Sequence, residues 1–463
     1  MRKFQPVQRP GHISILLFTF CLLVATDLRG QVREQWIARY NGPSNGTDYA
    51  KEVAVDDSGY VFVAGWSNGI DSGDDYATIK YSPTGELMWV SRYNGVGNGD
   101  DHVTAMAMDA DGNICVTGNS WNGTDLDYAT VKYSSDGDEL WTARHDGLGG
   151  GYDSAVAIAV DPDENVYVTG SSLGDTTSKD YTTIKYDCDG NELWSVTYNG
   201  PANKNDGAKA IAIDYNGNVC ITGSSESDET GYDFVTVKYD SAGNELWTAR
   251  RDGPGNGHDY AFDVIVDENG YVYVTGQTSN LSTDFLTVKY DPDGNELWSA
   301  LYDGPASGFD GSFDICLDGD CNVFVTGESV GAGTLNDFAV VKYDSSGNEL
   351  WTARYNGPDN VNDVAKALTI DSSGNVYVTG HSYGLATFYD YASVKYSPEG
   401  IELWAARYNG PGDDIDVAWD IAVDVSGNVY VTGRSDDFAT SSDYATIKYR
   451  QGHPHQRVPV GNR

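Results

Sequence analysis

The chain has 463 residues, a formal net charge of −40 at pH 7 and a hydrophobic share of 40%. This share excludes a disordered polyelectrolyte, and the length accommodates two or three ordinary domains or one large β array. The negative charge argues against nucleic acid and against an anionic membrane surface as partners, because both require a basic binding face.

The first 30 residues differ from the rest of the chain. Basic residues precede an apolar run from Ile13 to Ala25. Such a run is typical of a secretory signal peptide and is short for a bilayer span. We therefore predict that residues 1–30 are a signal peptide, with an uncleaved anchor as the alternative. The mature protein is then expected to be secreted or held at the cell surface, with no membrane span.

A motif of the form NVYVTG occurs eight times at spacings of 51 to 53 residues. Its closing glycines are Gly65, Gly118, Gly170, Gly223, Gly276, Gly327, Gly380 and Gly433. Each repeat contains four short runs rich in Val, Ile, Tyr, Thr or Trp, bounded by Gly, Asn and Asp, which is typical of strands joined by tight turns. Eight four-stranded antiparallel meanders predict an all-β, eight-bladed β-propeller.

The ends of the repeated region predict how the ring closes. A Trp-bearing segment that starts at Arg33 precedes the first repeat, and the last repeat stops at Tyr449 without a Trp-bearing strand of its own. We expect the N-terminal strand to complete the last blade. The propeller is then predicted over residues 31–449, followed by a flexible basic tail over residues 450–463.

The segments DSSGNVYVTG, DYATIKYS and GNELWTARYNGPDN resemble the SBBP repeat, a bacterial β-propeller repeat found in secreted and cell-surface proteins. The resemblance covers residues 34–449 and recurs eight times, whereas the name of the family implies seven blades, so we expect eight. The resemblance implies fold and location. It implies no catalytic motif.

Charged residues that recur in every repeat form rings on a propeller. The first Asp ring, before each innermost strand, is Asp48, Asp101, Asp153, Asp206, Asp259, Asp310, Asp363 and Asp416. The second Asp ring, at the third strands, is Asp75, Asp127, Asp180, Asp233, Asp284, Asp337, Asp390 and Asp443. The third Asp ring, at the hairpin turns, is Asp56, Asp109, Asp161, Asp214, Asp267, Asp318, Asp371 and Asp424. The Lys ring is Lys80, Lys132, Lys185, Lys238, Lys289, Lys342, Lys395 and Lys448.

These rings are expected to hold the propeller together. An unpaired buried charge is costly, so we predict that the Lys ring pairs with aspartates and fastens one blade to the next. The alternative is structural calcium, because hairpins such as Asp109–Asn113 and Asp291–Asn295 place hard oxygen ligands close together. These hairpins lack the remainder of an EF-hand loop, and no other cofactor is predicted.

Tryptophans divide into a repeated and an unrepeated set. The Trp ring, which we expect to pack between blades, is Trp36, Trp89, Trp141, Trp194, Trp247, Trp298, Trp351 and Trp404. Trp66 and Trp121 are not repeated and lie in the variable loops between second and third strands, where function usually resides. These two tryptophans and the first Asp ring, predicted to open on the same face, are our candidates for ligand contact.

Nothing in the sequence resembles an active site. Four histidines remain outside the leader and the tail, namely His102, His145, His258 and His381, and they lie in different repeats without metal-ligand spacing. No motif of a serine hydrolase, zinc peptidase or P-loop is present. We predict a monomeric, non-catalytic protein that binds a glycan or a cell-surface protein through its loop-rich face. The alternatives are a spacer in an envelope assembly and a hydrolase or lyase that acts on polysaccharide.

Overall fold

The computed structural model of the protein describes residues 32–147, 149–174, 178–279 and 282–451. These residues form 32 strands and contain no helix. The strands make eight separate four-stranded antiparallel sheets. The predicted all-β, eight-bladed propeller is therefore confirmed. The leader predicted over residues 1–30 lies outside the described residues, as does the predicted tail apart from Arg450 and Gln451, which extend the last strand.

Each blade contributes one strand to each of four concentric positions. The innermost strands are β2 (Asp48–Val55), β6 (Asp101–Met108), β10 (Ser154–Val160), β14 (Asp206–Ile213), β18 (Asp259–Val266), β22 (Asp310–Leu317), β26 (Asp363–Ile370) and β30 (Asp416–Val423). The second strands are β3 (Val61–Asn68), β7 (Ile114–Trp121), β11 (Val166–Leu173), β15 (Val219–Glu226), β19 (Val272–Ser279), β23 (Val323–Val330), β27 (Val376–Gly384) and β31 (Val429–Asp437).

The third and outermost positions complete the blades. The third strands are β4 (Asp74–Tyr81), β8 (Leu126–Tyr133), β12 (Lys179–Tyr186), β16 (Tyr232–Tyr239), β20 (Thr283–Tyr290), β24 (Asn336–Tyr343), β28 (Phe388–Tyr396) and β32 (Ser441–Gln451). The outermost strands are β5 (Leu87–Tyr93), β9 (Glu139–His145), β13 (Glu192–Tyr198), β17 (Glu245–Arg251), β21 (Glu296–Tyr302), β25 (Glu349–Tyr355), β29 (Glu402–Tyr408) and β1 (Val32–Tyr40). Blade 1 begins at β2, and blade 8 combines β30, β31 and β32 with β1.

Closure of the ring follows the prediction. The N-terminal strand β1 pairs antiparallel with β32 and places Trp36 opposite Lys448. The same register places Trp89 opposite Lys80 within blade 1. The first strand thus occupies the outermost position of the last blade, as the Trp strand does in every other blade.

Every innermost strand contains a β-bulge, which explains the invariant glycine of the repeated motif. In blade 1 the register shifts between Ala50 and Glu52, so that Lys51 is the extra residue. A Cβ atom on Gly65 of the adjacent strand would lie 1.9 Å from the carbonyl oxygen of Tyr49. Only glycine lets the two backbones approach this closely at the bulge.

The Trp ring packs between blades, as predicted. The Trp36 indole lies against Gly85 of blade 1, which has a φ of +85° and whose Cβ would lie 2.7 Å from the ring. The indole Nε1 donates to the carbonyl of Pro83 at 3.1 Å. Seven members of the ring make the corresponding bond. Trp404 is buried, and its Nε1 has no partner among the described residues. Blade 8 lacks the hairpin that supplies this carbonyl elsewhere, because its two outer strands come from opposite ends of the described chain.

Five members of the Lys ring pair with the third Asp ring, but these ion pairs lie within a blade. The Nζ atom of Lys132 is 2.8 Å from Oδ2 of Asp109 in the same blade. The third Asp ring lies on the hairpin between the first two strands, beside the lysine of the third. The predicted blade-to-blade ion pairs are therefore wrong. Between blades, the Lys ring donates to backbone carbonyls, as from Lys80 to Ser135 at 2.8 Å.

A set of arginines that the sequence prediction missed binds the second Asp ring. The Arg92 guanidinium lies 2.8 Å from Asp75 in its own blade and donates at 3.2 Å to the hydroxyl of Tyr40 in the preceding blade. Six blades contain this ion pair, namely Arg39–Asp443, Arg92–Asp75, Arg144–Asp127, Arg250–Asp233, Arg354–Asp337 and Arg407–Asp390. Arginine thus contributes to joining adjacent blades.

Candidate ligand-binding face

The crossings between blades and the loops between second and third strands share one face, as predicted, and we call it the loop-rich face. Hydrogen bonds connect the two kinds of loop directly. The N–H of Asn68 donates to the carbonyl of Thr47 at 3.2 Å, and the N–H of Gly97 donates to the carbonyl of Trp121 at 3.1 Å. The variable loops are therefore held against the repeated crossings.

The first Asp ring lies beneath these loops and is buried. The Asp48 carboxylate accepts the N–H of Gly42 at 2.6 Å and that of Asn68 at 3.1 Å. All eight members accept the N–H of the glycine six residues earlier, at 2.6 to 2.8 Å. Burial raises the pKa of Asp363 and Asp416 to about 6 despite hydrogen bonds that lower it. These contacts favour a role in shaping the loops over direct contact with a ligand.

Trp121 borders a cavity of about 400 Å³ on this face. The cavity is lined by Gly99, Asp100, His102, Trp121, Leu126 and Tyr152. Trp121 is half-buried, whereas Asp100 and Tyr152 are exposed. A Cβ on Gly99 would lie 2.5 Å from the indole, so the crossing backbone lies directly against this ring. The Asp100 carboxylate accepts the N–H of Asp74 at 3.1 Å through Oδ1. The cavity thus combines aromatic surface with a carboxylate and an imidazole, a combination suited to an amphipathic ligand.

Trp66 lies within strand β3 and Trp121 is the last residue of β7, so the prediction that both lie in the variable loops is wrong. The Trp66 ring belongs to a row of side chains from three blades. Its ring is parallel to that of Tyr49 at a centroid distance of 5.0 Å, and its centroid is 4.7 Å from that of His102. The Arg434 guanidinium of blade 8 lies 4.8 Å from the Tyr49 centroid. These contacts make the surroundings of Trp66 rigid on both sides.

His102 brings the two predicted tryptophans into one region, since its ring contacts that of Trp66 at an angle of 45° and lines the Trp121 cavity. Its Nε2 atom is 3.0 Å from Oδ2 of Asp74. Burial alone would raise the pKa of Asp74, but hydrogen bonds from His102 and Asn68 outweigh this effect and lower it. The sequence showed His102 only as an unrepeated residue after the first Asp ring. The sequence signal for His102 was that the residue at this position differs from one repeat to the next.

Carboxylates also gather where blades cross. Three groups, Asp127–Asp146–Asp153, Asp233–Asp252–Asp259 and Asp284–Asp303–Asp310, have ligand atoms within 4.8 Å of one another. An arginine forms an ion pair with one member of each of the first two groups. In the third group, Leu301 occupies the position at which six other blades have this arginine. The hairpin carboxylates that suggested calcium are engaged by protein, as Asp109 is by Asn113 and Lys132. Structural calcium stays a prediction.

Within the described part of the chain, no helix has the length and apolar character needed to cross a bilayer.

Comparison with one solved structure supports the architecture. A structure of Sqt1 from Chaetomium thermophilum is similar over 91% of this chain and 100% of its own, with a TM-score of 0.52 and 12% identity. A protein of unknown function from Dyadobacter fermentans has a TM-score of 0.43 and 10% identity, over 91% of this chain and 99% of its own. At 12% identity the likeness to Sqt1 concerns the fold alone.

A sequence relative is also found. A WD repeat-containing protein of Acanthamoeba polyphaga mimivirus is 23% identical over 84% of this chain. The alignment covers 33% of that protein, so the chain spans about a third of the relative's length.

The family comparison identifies the repeat itself. The SBBP β-propeller repeat matches residues 35–71, 147–175 and 350–385. These segments lie in different blades of the ring, and the other blades share the same strand order and repeated residues. The chain therefore carries SBBP β-propeller repeats, arranged as eight blades.

Proposed function

We propose that the protein is a secreted, non-catalytic propeller that binds a glycan at its loop-rich face. The observation that carries this proposal is the 400 Å³ cavity beside Trp121. An indole ring offers a flat apolar surface to the apolar face of a sugar, and the adjacent Asp100 and His102 offer hydrogen bonds to hydroxyl groups. Trp66 adds a second aromatic ring through its contact with His102.

Rigid loops support a role in binding. The backbone of Trp121 is fixed by the buried Asp101 carboxylate at 3.0 Å, and its indole is fixed by Gly99. Trp66 is similarly held between Tyr49 and His102. A preformed site loses little conformational entropy when a ligand binds.

A protein partner is the second candidate. The propeller fold and the similarity to a WD repeat-containing protein both suit a binding or scaffold role. The exposed Asp100 and the excess of acidic residues on the chain would then favour a basic patch on the partner. A spacer role and polysaccharide cleavage remain the further alternatives, and the same experiment addresses them.

The test is retention of the purified protein on a panel of insoluble polysaccharides and cell-wall preparations, with released reducing ends assayed in the same tubes. Retention without sugar release is expected. Trp121→Ala should lower the apparent affinity at least about tenfold, because a buried aromatic contact is lost. Tyr215→Ala is the matched control, since Tyr215 is 88% exposed on a hairpin of the opposite face.

Three outcomes contradict the proposal. Release of sugar would show catalysis and direct attention to the carboxylate groups at the crossings. Equal retention of Trp121→Ala and the unmodified protein would remove the cavity as the binding site. If no polysaccharide retains the protein, the glycan proposal fails and a protein partner or a spacer role takes its place.

A further inference from the structure

Five of the eight crossings between blades begin with an asparagine that closes the turn with its own side chain. The side-chain amide of Asn199 donates to Oδ1 of Asn203 at 2.8 Å. The corresponding bond to the residue four positions later is made by Asn41, Asn94, Asn356 and Asn409. The other three crossings have an aspartate here, namely Asp146, Asp252 and Asp303. A carboxylate cannot donate this bond, so these crossings exchange a stabilising contact for a negative charge.

The crossing between blades 4 and 5 brings Asp252 to two buried members of the Asp rings. Asp233 of the second Asp ring belongs to blade 4, and Asp259 of the first Asp ring belongs to blade 5. One oxygen atom from each of the three carboxylates lies within 4.8 Å of the other two. We call these residues the blade 4–5 carboxylate cluster. Two oxygen ligands of one Ca²⁺ ion lie at most about 5 Å apart, twice the usual Ca–O distance, and the cluster meets this limit.

Two oxygen atoms of the cluster are buried without a hydrogen-bond donor among the described residues. Oδ2 of Asp233 accepts from Arg250 at 2.6 Å and from Thr230 at 2.8 Å, which leaves Oδ1 without a donor. Oδ1 of Asp252 also lacks a donor. Asp233 is only 2% exposed, so its Oδ1 faces protein and not bulk solvent. Buried acceptors of this kind are rare in folded proteins and point to a bound water molecule or ion.

A hydroxyl group lies beside the cluster. Thr278 is opposite Asp259 in the pairing of β18 with β19, so the two side chains share one face of blade 5. Thr278 is fully buried, and its hydroxyl makes no hydrogen bond of good geometry within the described residues. The hydroxyl is nevertheless close enough to oppose the rise in pKa that burial causes at Asp259. A Cβ on Gly253 would lie 1.9 Å from this hydroxyl and 2.7 Å from Oδ1 of Asp259, so the crossing backbone passes beside both oxygen atoms.

Two arginines offset the charge of the cluster only in part. Arg250 pairs with Asp233. Arg251 pairs with Glu296 at 3.2 Å, and it donates to the backbone carbonyl of Asp252. Burial and the charge of Asp233 raise the pKa of Asp252, although both arginines act in the opposite direction. Like charges in a buried site repel one another, and a cation that binds between them relieves this repulsion.

The other two groups of carboxylates at crossings lack this arrangement. Within the described residues, neither the Asp127–Asp146–Asp153 group nor the Asp284–Asp303–Asp310 group contains a buried oxygen atom without a donor. Ser172 donates to Asp153 at 2.7 Å, where Thr278 in blade 5 makes no comparable bond. The blade 4–5 carboxylate cluster is therefore the group whose ligand atoms are least satisfied by protein.

We propose that the blade 4–5 carboxylate cluster binds a Ca²⁺ ion through Asp233, Asp252 and Asp259, with the Thr278 hydroxyl as a neutral ligand. Ca²⁺ accepts carboxylate and neutral oxygen ligands in flexible geometry, whereas Mg²⁺ retains several water molecules. The ion connects the third strand of blade 4 to the innermost strand of blade 5. The site is separate from the Trp121 cavity and from the hairpins for which the sequence suggested calcium. It does not depend on glycan binding.

Calorimetric titration of the purified protein, first freed of metal with a chelator, tests the proposal. CaCl₂ is the probe, and MgCl₂ at the same ionic strength is the comparison. We expect saturable Ca²⁺ binding with a Kd below about 1 mM and weaker binding of Mg²⁺. Ca²⁺ binding that does not saturate by about 10 mM, well above that range, indicates an adventitious ion only and overturns the proposal.

Asp252→Asn locates the site, because asparagine is the residue at five other crossings and fits the turn. It should weaken Ca²⁺ binding at least about tenfold, since a charged ligand becomes neutral. Thr278→Val, which keeps the shape of the side chain, should weaken binding about threefold. Asp57→Asn is the matched control, since Asp57 is exposed and its side chain makes no hydrogen bond within the described residues. Unchanged Ca²⁺ affinity in Asp252→Asn would place the ion elsewhere and overturn the proposal.

Thermal unfolding separates metal binding from a purely structural role of Asp252. Without Ca²⁺, Asp252→Asn should unfold at or above the temperature of the unmodified protein, because repulsion is removed and the new amide can donate to Asn256 as Asn199 does to Asn203. Ca²⁺ at about a hundredfold excess over its Kd should raise the unfolding temperature of the unmodified protein by about 3 °C and that of Asp252→Asn by clearly less. An equal rise in both proteins, or no rise in either, overturns the proposal.

Discussion

The buried carboxylate of Asp101 accepts the backbone N–H of Trp121 at 3.0 Å. Its other oxygen accepts the N–H of Gly95 at 2.6 Å. One side chain therefore connects a crossing between blades to the end of strand β7, which borders the candidate cavity. The acidic ring that the sequence suggested as a ligand-contacting surface here fixes the position of an aromatic residue.

Replacing Asp101 with alanine is expected to destabilise the protein by about 2–3 kcal/mol, because two backbone N–H groups lose a charged acceptor. Asp57→Ala is the control for stability, since Asp57 is exposed and its side chain makes no hydrogen bond within the described residues. Urea unfolding of both variants measures the difference in the free energy of unfolding. An equal effect of the two substitutions would contradict the assigned role of Asp101.

The unpartnered indole of Trp404 predicts an asymmetry within the Trp ring. Trp351→Phe removes a bond of 2.9 Å to the carbonyl of Pro398, whereas Trp404→Phe removes none among the described residues. We expect Trp351→Phe to lower the free energy of unfolding by about 1 kcal/mol more than Trp404→Phe. Thermal unfolding of the two variants side by side provides the comparison, and a larger loss for Trp404→Phe would refute it.

The first Asp ring predicts greater stability in mild acid. Burial raises the folded-state pKa of Asp363 and Asp416 to about 6, above the ordinary value for aspartate. The folded protein therefore binds these protons more tightly than the unfolded chain, and stability from these groups rises as the pH falls from about 7 toward 4.

Denaturant unfolding at pH 7 and pH 5 measures this dependence. Asp363→Asn should reduce the difference between the two pH values. Asp344→Asn should leave it unchanged, because hydrogen bonds from Asn348 lower the pKa of that exposed carboxylate. An unaltered difference in Asp363→Asn would count against the prediction.

Gly65→Ala tests the close approach at the bulge. The added Cβ would meet the carbonyl oxygen of Tyr49 at 1.9 Å, and neither backbone can yield without breaking the strand pairing. We expect a loss of about 3 kcal/mol. Gly319→Ala serves as the control, because no atom lies within 4 Å of the position its Cβ would occupy. Similar unfolding temperatures for the two variants would disprove the explanation.

Features that recur in every repeat were predictable from the sequence. The Trp-bearing segment before the first repeat, and its absence after Tyr449, were enough to place Trp36 in the last blade. The packing of the Trp ring followed from the same recurrence. The location of the Lys132–Asp109 pair within one blade was not predictable, because it depends on which hairpin lies beside the third strand.

Unrepeated contacts across blade boundaries could not be predicted. Trp66 and Trp121 were identified as unusual, but their connection through His102 depends on how blade 2 lies against blade 1. The β-bulge of the innermost strands could not be predicted either, since only the register of strands β2 and β3 shows that Lys51 is the extra residue.

The pairing of β1 with β32 has a consequence for the order in which the chain folds. Seven blades are built from consecutive strands, so their contacts are local and can form while the chain is being synthesised. Strand β1 is synthesised before all other described strands, but its partner β32 is synthesised last. Until β32 has been synthesised, β1 has no partner strand, and its unpaired backbone N–H and C=O groups can pair with other chains. Slow synthesis or early termination should therefore favour aggregation through β1. The risk of aggregation ends when β32 has been synthesised and pairs with β1.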